Sequence, residues 1–416
     1  MNEKLLNKTL VAFAILLPPA IVFSFVSKLG ITIPFWDQWE FVPLLEKLYN
    51  HTLTFGDVWK PHNEHRIIFP QALMLILAYL SGWNISLELG ASFVLAFLTL
   101  LCLLSILRNT SESPPSPWLK IIISCLVFSM VQSENWCWGW QIQIFMSIFG
   151  TVAAVCALTK WPGRYLGLVL AILAAILSRY SFNIGLITWP VIFLLLLLQK
   201  KYRPIHFMIF ILSGLTTVAL YYYNYTLPSD HQPLFFFLDH PWGYIRYVLT
   251  YLGASLGPTP VLSLVMALII LFLAAFAVFE IRRIKKQKLL TLAPWLVLAV
   301  YPCIAAIITG LGRAALGWQQ ALASRYTTIT VILVISTIML VGNAIKLSLN
   351  INRKKQLKTV VFAAVVVCVF IVSYGYSYLY GINFQQQMSR YVMESAFCLN
   401  YPYNADPAAL VRLYPS

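Results

Sequence analysis

Charge is scarce in this chain. Only 10% of its 416 residues are Asp, Glu, Lys or Arg, and 14 of these are acids. Soluble domains carry about 25% charged residues, so an ordinary water-soluble globule is excluded. Alternation of apolar and polar residues is also missing from the hydrophobic runs. That excludes a transmembrane β-barrel, because continuously apolar segments satisfy their own backbone only as helices. Neither Gly-x-x-x-x-Gly-Lys nor Gly-x-Gly-x-x-Gly occurs, so nothing points to a nucleotide site. The seven cysteines show no paired metal spacing, and most lie in apolar runs where cysteine acts as a small hydrophobe. Cys137 and Cys398 are both expected on the outer side, which leaves a disulfide between them open.

What is abundant is hydrocarbon: 60% of the residues are hydrophobic and the mean hydropathy is +0.78. Stretches long enough to cross about 30 Å of bilayer core recur along the chain. The expected fold is therefore all-α, a single polytopic transmembrane domain over residues 1–416. Spans are expected at about 9–28, 86–107, 118–132, 141–159, 164–178, 184–199, 205–223, 258–279, 291–310, 325–345 and 358–380, about eleven in all. The first follows Lys4 and Lys8 as a signal peptide would, but it is long and lacks a small-x-small cleavage site, so it reads as a retained span. Ile67 to Trp83 is short and has Pro70 near its start; counting it as a crossing would reverse every later loop, so it is expected to lie along the membrane surface.

Under this topology nineteen of the 29 lysines and arginines, with only three acids, fall on one side. The clusters at 200–203, 282–288 and 353–358 are among them, and the positive-inside bias makes that side cytoplasmic. The net charge of +15 thus reports orientation and anionic-lipid contact rather than nucleic-acid binding. The amino terminus is expected inside and the carboxy terminus outside, in a plasma (inner) membrane. The outer segments, 29–85, 224–257 and the tail 381–416 above all, are longer and mixed in character, and five of the six histidines fall outside.

The densest polar pattern follows the first span. Asp37 and Glu40 stand at i, i+3, so a short interfacial helix from Trp36 to Tyr49 puts both carboxylates on one face with Trp36 and Trp39 at headgroup depth. A carboxylate held near low dielectric has a raised proton affinity, which suits a general base. Then comes the run His62, Asn63, Glu64, His65, Arg66, able to bind phosphate through Arg66 and orient a sugar through its neighbours. It also admits a metal through His62, Glu64 and His65, although the spacing is not His-Glu-x-x-His. A late loop adds Arg313, Gln320, Arg325 and Tyr326, two arginines among glycines and glutamines, as a candidate phosphate cradle. Arg179 with Tyr180, Ser181 and Asn183, and Glu134 with Asn135 and Trp136, are candidates for the same cavity.

This order of features resembles the polyprenyl-phosphate-dependent membrane glycosyltransferases of the GT-C class, such as protein O-mannosyltransferases and aminoarabinose transferases. Asp37 matches the acidic residue of their first outer loop, and the segments 36–49 and 67–83 look like the two membrane-parallel helices of that loop. The run 62–66 stands where relatives carry a His- or Lys-Pro-Pro segment; here only Pro61 and Pro70 flank it. Arg325 resembles the arginine that contacts the lipid phosphate. The likeness covers about the first 110 residues, and the rest mainly by topology. It implies an inverting transfer of a sugar from a polyprenyl-phosphate donor to a hydroxyl of a lipid, glycan or protein acceptor on the outer face. Asp37 is then the base, assisted by Glu40. No cofactor is demanded, and a divalent metal stays open. A flippase or transporter of lipid-linked sugars, or a lipid-linked oligosaccharide polymerase or ligase, are the competing readings; few charges fall inside the spans, which weighs against transport.

Overall fold

A computed structural model describes residues 3–63, 65–225, 235–349, 356–400, 411 and 413–414, with backbone alone at 3–7, 356–367 and 397–400. Helices form throughout, and no strand occurs among the described residues, only two isolated bridges. Helix α1 (Glu3–Leu29) leads to a 3-10 turn at Trp36–Phe41, then α2 (Val42–Tyr49), α3 (Phe55–Trp59) and α4 (Ile68–Ser81). The chain continues through α5 (Ser86–Thr110), α6 (Pro117–Val127), α7 (Ser133–Cys137), α8 (Ile142–Lys160), α9 (Tyr165–Arg179), α10 (Thr188–Gln199) and α11 (Pro204–Tyr222). It ends with α12 (Phe236–Asp239), α13 (Pro241–Gly253), α14 (Pro260–Thr291), α15 (Ala293–Arg313), α16 (Ser324–Leu349) and α17 (Gln356–Asn400).

Burial sorts these helices. Within their apolar windows α8 is 78% and α16 72% buried inside the protein, against 11% for α1, so α8 and α16 form the centre and α1 the rim. Around α8 pack α5 and α9; around α16 pack α14 and α15. A cluster of hydroxyls, Ser147, Thr151, Ser178 and Thr188, joins α8, α9 and α10 with oxygen separations of 2.7 to 3.1 Å. Such bonds satisfy polar groups that hydrocarbon cannot.

Among the described residues seven helices are long and apolar enough to cross a membrane: the segments 8–29, 86–110, 139–160, 204–222, 260–291, 293–316 and 324–349. The chain is thus a polytopic helical membrane protein. The sequence expectation of eleven spans meets helix at every segment, and seven of these helices have full crossing length and apolarity among the described residues. α6 stops at Val127 because Phe128 leaves the helical region (φ −98°, ψ 62°), and α9 and α10 are short. The expected helix from Trp36 to Tyr49 is two pieces. Pro43 sits in the first turn of α2, where its missing N–H is harmless, so a new helix begins there. α4 matches the expected segment and is ended by Gly82 at φ +65°.

Two outer segments expected as loops are ordered differently. Within 224–257, α13 docks on α15, and the Tyr244 hydroxyl donates to the Ile307 carbonyl at 2.8 Å. The expected tail from Gly381 is instead a continuation of α17 to Asn400, seated against the turn at Met130–Gln132. Cys137 is a buried free thiol, and the side chain of Cys398 lies outside the described residues.

A Cβ at Gly381 would collide with the Met130 carbonyl oxygen, whereas one at Gly375 meets nothing within 4 Å. Gly381→Ala should therefore cost about 1–3 kcal/mol and lower the Tm in detergent, while Gly375→Ala leaves it unchanged or slightly raised. Equal melting of the two variants would contradict the docking of α17.

Candidate functional site

The first loop is pinned to the bundle by buried polar contacts. Gln38 is fully buried; its amide donates to Glu88 Oε2 at 2.8 Å, while its Oε1 accepts the Phe35 N–H at 3.3 Å. Glu88, at the start of α5, also accepts the Trp83 indole N–H at 3.3 Å. A side chain at Gly139 would strike both Glu88 and Gln38, so only glycine lets the 3-10 turn at 139–141 approach this pair. Alongside, the Ile31 N–H donates to the Cys137 carbonyl at 2.8 Å, and the Trp138 indole donates to Phe35 O at 3.2 Å.

Pinning Gln38 fixes its neighbours. In a 3-10 helix residues three apart eclipse, so Asp37 and Glu40 share one side of the Trp36–Phe41 turn. His62 and His65 close a second tight turn with reciprocal N–H to carbonyl bonds of 2.7 and 2.9 Å, and Asn63 takes the left-handed conformation it requires (φ +50°). That turn lays His62 Nδ1 3.1 Å from Glu40 Oε2 and its ring edge-on to Trp140. Asp37, Glu40 and His62 each present a ligand atom within 4.8 Å of the others.

Asp37 and His62 belong to one wall of a cavity of about 600 Å3. Trp36, Asp37, His62, Asn63 and His65 come from the first loop. Trp138, Trp140, Gln141 and Gln143 come from the entry to α8, and Phe182 and Asn183 from the turn before α10. The remaining wall carries Thr309, Arg313, Arg325 and Tyr326 from the end of α15 and the start of α16. Asp37, His65 and Arg325, far apart in sequence, thus line one space.

Electrostatics divide that space. Arg325 lies 5.4 Å from the Tyr326 ring and has no carboxylate within 4.0 Å among the described residues. The Tyr326 hydroxyl accepts from Gln320 Nε2 at 3.2 Å, and Gln320 Oε1 accepts from Tyr247 at 2.5 Å. Gln320 therefore supports the wall from behind. Burial raises the proton affinity of Glu134, offset by the charge of Arg325. Burial, then the electrostatic influence of its neighbours, the Arg313, Arg179 and Arg325 guanidinium groups among them, push the His65 pKa down to about 3, so its imidazole is neutral at physiological pH.

Two expected phosphate ligands lie elsewhere. Arg66 is 1% exposed and donates to the Trp59 and Tyr223 carbonyls at 2.9 and 2.6 Å, clamping the first loop to the end of α11. Arg179 is fully buried, donates to Asn183 Oδ1 at 2.7 Å and stacks 3.3 Å from the Tyr221 ring. Neither lines the cavity, because backbone carbonyls and aromatic faces already hold both guanidinium groups. Glu64 lies outside the described residues. Sequence reasoning missed Gln38 and Glu88 as anchors, and Trp138, Trp140, Gln141 and Gln143 as wall. The signal was present in Trp136-Cys137-Trp138-Gly139-Trp140-Gln141-Ile142-Gln143, a run of tryptophans and amides at the head of an apolar helix.

Comparison of the chain with protein-family models, with curated proteins and with solved structures returns no match.

A histidine whose folded pKa is depressed favours folding above its unfolded pKa, and that contribution is lost as pH falls from about 6.5 toward 3. Wild-type Tm should therefore drop more steeply between pH 7 and pH 4 than that of His65→Gln. Parallel pH profiles would show that His65 is not held neutral.

Proposed function

We propose that the protein is an integral membrane glycosyltransferase that moves a sugar from a polyprenyl-phosphate donor to an acceptor hydroxyl at the non-cytoplasmic face. The observation that carries this reading is the shared cavity, with a carboxylate, Asp37, on one wall and two arginines, Arg313 and Arg325, on another. Its aromatic rings, Trp36, Trp138, Trp140, Phe182 and Tyr326, offer apolar faces for the C–H surfaces of a sugar, and Asn63, Gln141 and Gln143 offer amides for its hydroxyls.

Orientation supports the same reading. The basic residues of the α10–α11 connection and of the last turns of α14 sit at the opposite helix ends: Gly163, between α8 and α9, packs on Lys201, and Lys288 donates to Glu112 at 3.0 Å. The positive-inside bias puts those ends in the cytoplasm and the cavity outside. Nucleotide sugars are cytoplasmic, so an outward cavity calls for a donor delivered on a lipid. With α6, α9, α10 and α17 counted as crossings beside the seven long helices, the chain spans the membrane eleven times, and α2 and α4 lie in the headgroup layer.

In the reaction Asp37 accepts the proton of the acceptor hydroxyl as its oxygen attacks the anomeric carbon from the face opposite the phosphate. The carbon–oxygen bond to phosphate breaks with inversion, and polyprenyl monophosphate leaves. Arg325 and Arg313 stabilise the charge that develops on the departing phosphate. Glu40 and His62 assist the proton transfer, His65 and Asn63 orient the acceptor, and Arg66 and Arg179 hold the scaffold.

Purified protein incubated with radiolabelled polyprenyl-phosphate sugars and membrane extract should yield labelled acceptor. Asp37→Asn should lower that rate by about 10²–10⁴, as loss of a general base does. Arg325→Ala should lower it by about 10²–10³. Equal labelling by wild type and Asp37→Asn would defeat the assigned base, and donor translocation without turnover would move the reading to a transporter.

A further inference from the structure

Arg179 closes α9 and is fully buried, with no carboxylate within 4.0 Å among the described residues. Its Nη1 donates both to the Asn183 carbonyl at 3.0 Å and to Asn183 Oδ1 at 2.7 Å, while the Tyr221 ring covers its face. A guanidinium can only donate, so the Asn183 amide has one permitted orientation, with its oxygen on Arg179 and Nδ2 turned away. That nitrogen donates to nothing among the described residues, and Asn183 lines the cavity although Arg179 does not. We infer that Asn183 recognises the phosphate of the lipid-borne donor, and that Arg179 is the positioning residue that presents its amide as a pure hydrogen-bond donor.

The assignment rests on the transferase reading above for the identity of the ligand and adds a specificity-determining group to it. A sugar hydroxyl both donates and accepts, so an amide serves it in either orientation, whereas an ionised phosphate oxygen only accepts. Locking the amide with its N–H groups outward therefore selects phosphate. Charge reinforces the selection: with its oxygen bonded to a cation the amide is polarised, and its N–H groups become stronger donors. The Arg179 charge also reaches the cavity, since it acts together with Arg313 and Arg325 on the His65 imidazole. Asn183 thus adds an uncharged donor to the guanidinium groups of the wall formed by α15 and α16.

The turn holds that donor still. Gly185 lies so close to Ser178 that a Cβ there would strike the Ser178 carbonyl, and the Phe182 carbonyl accepts the Gly185 N–H at 2.9 Å. Ser178 is in turn bonded to Ser147 and Thr188 in the hydroxyl cluster. On the other flank the Phe182 ring packs 4.8 Å from the His65 ring. Backbone and side chain of Asn183 are both fixed before a ligand arrives, and a fixed dipole stabilises charge on a leaving phosphate without reorganisation. Packing alone does not account for Arg179. Its Nε and Nη2 have no acceptor among the described residues, and an apolar side chain would fill a buried place at lower cost than an unpaired cation.

The test is titration of the full-length protein in detergent with undecaprenyl monophosphate and, separately, with the neutral alcohol undecaprenol, read by native mass spectrometry. Wild type should prefer the phosphate. Asn183→Asp keeps an oxygen for Arg179, so its Tm should hold or rise, but it exchanges the outward donor for a negative charge. The preference for phosphate over alcohol should then fall by more than about tenfold. Because the readout is a ratio, partial misfolding, which lowers both affinities, does not imitate it. Arg179→Leu frees the amide to rotate and should lower the same ratio by about threefold to tenfold, and Arg179→Lys, which can still donate to Oδ1, should recover part of the loss. A ratio that Asn183→Asp leaves unchanged, or a wild type with no preference for the phosphate, overturns the assignment. Transfer of radiolabelled sugar is measured alongside. A phosphate preference lost in Asn183→Asp, with no transfer by wild type, would sink the transferase reading and leave the site, whereas transfer by Asn183→Asp at an unchanged donor KM would sink the site and leave that reading.

Discussion

The buried hydrogen bond between the Gln38 amide and the Glu88 carboxylate is the constraint on which the cavity depends. A carboxylate inside a helical membrane protein is costly to leave without donors, and here two side chains supply them. Because Gln38 must reach Glu88, the 3-10 turn is drawn down onto the bundle, and Asp37 is set on the cavity wall. Gly139 makes the approach possible by occupying no space. Arg66 performs the equivalent task further along the loop, so both ends of the polar segment are tied to helices instead of floating at the surface.

The consequence is a cavity with separated charge. Asp37, His62 and His65 stand on the first-loop wall, and Arg313 and Arg325 stand on the wall built by α15 and α16. A ligand with an anionic end and a polyhydroxylated body matches that division, as does a reaction in which a proton leaves at one side while negative charge grows at the other. The floor is rigid. The hydroxyl cluster of Ser147, Thr151, Ser178 and Thr188 locks α8, α9 and α10 together, and the turn at Phe182 and Asn183 springs from that locked region.

Much of this was legible in the amino-acid sequence because hydrophobic length and charge asymmetry leave strong marks. The helical class, the placement of polar chemistry after the first span, and the pairing of that loop with Arg313 and Arg325 follow from where carboxylates, histidines and arginines interrupt hydrocarbon. Arg66 and Arg179 misled because an arginine at a helix end reads the same whether it faces a ligand or a backbone carbonyl. Only the fold shows that the Tyr221 ring and the Tyr223 carbonyl had claimed them. Glu88 was hidden for a related reason: an acid in the first turn of a helix reads as a surface charge until its partner, 50 residues away, is known. The length of a crossing is similarly not local. α6 breaks at Phe128, and the short turns that follow lead to Trp138 and Trp140 on the cavity wall.

The central claim is that Asp37 and Arg325 face one space on the same side of the membrane. It is tested most directly by membrane-impermeant maleimide labelling of Asp37→Cys and Arg325→Cys, each introduced singly into a cysteine-free background, in intact cells and in inverted vesicles. Both positions should label from the outside of intact cells and be protected in inverted vesicles. Labelling of the two from opposite faces would contradict the account.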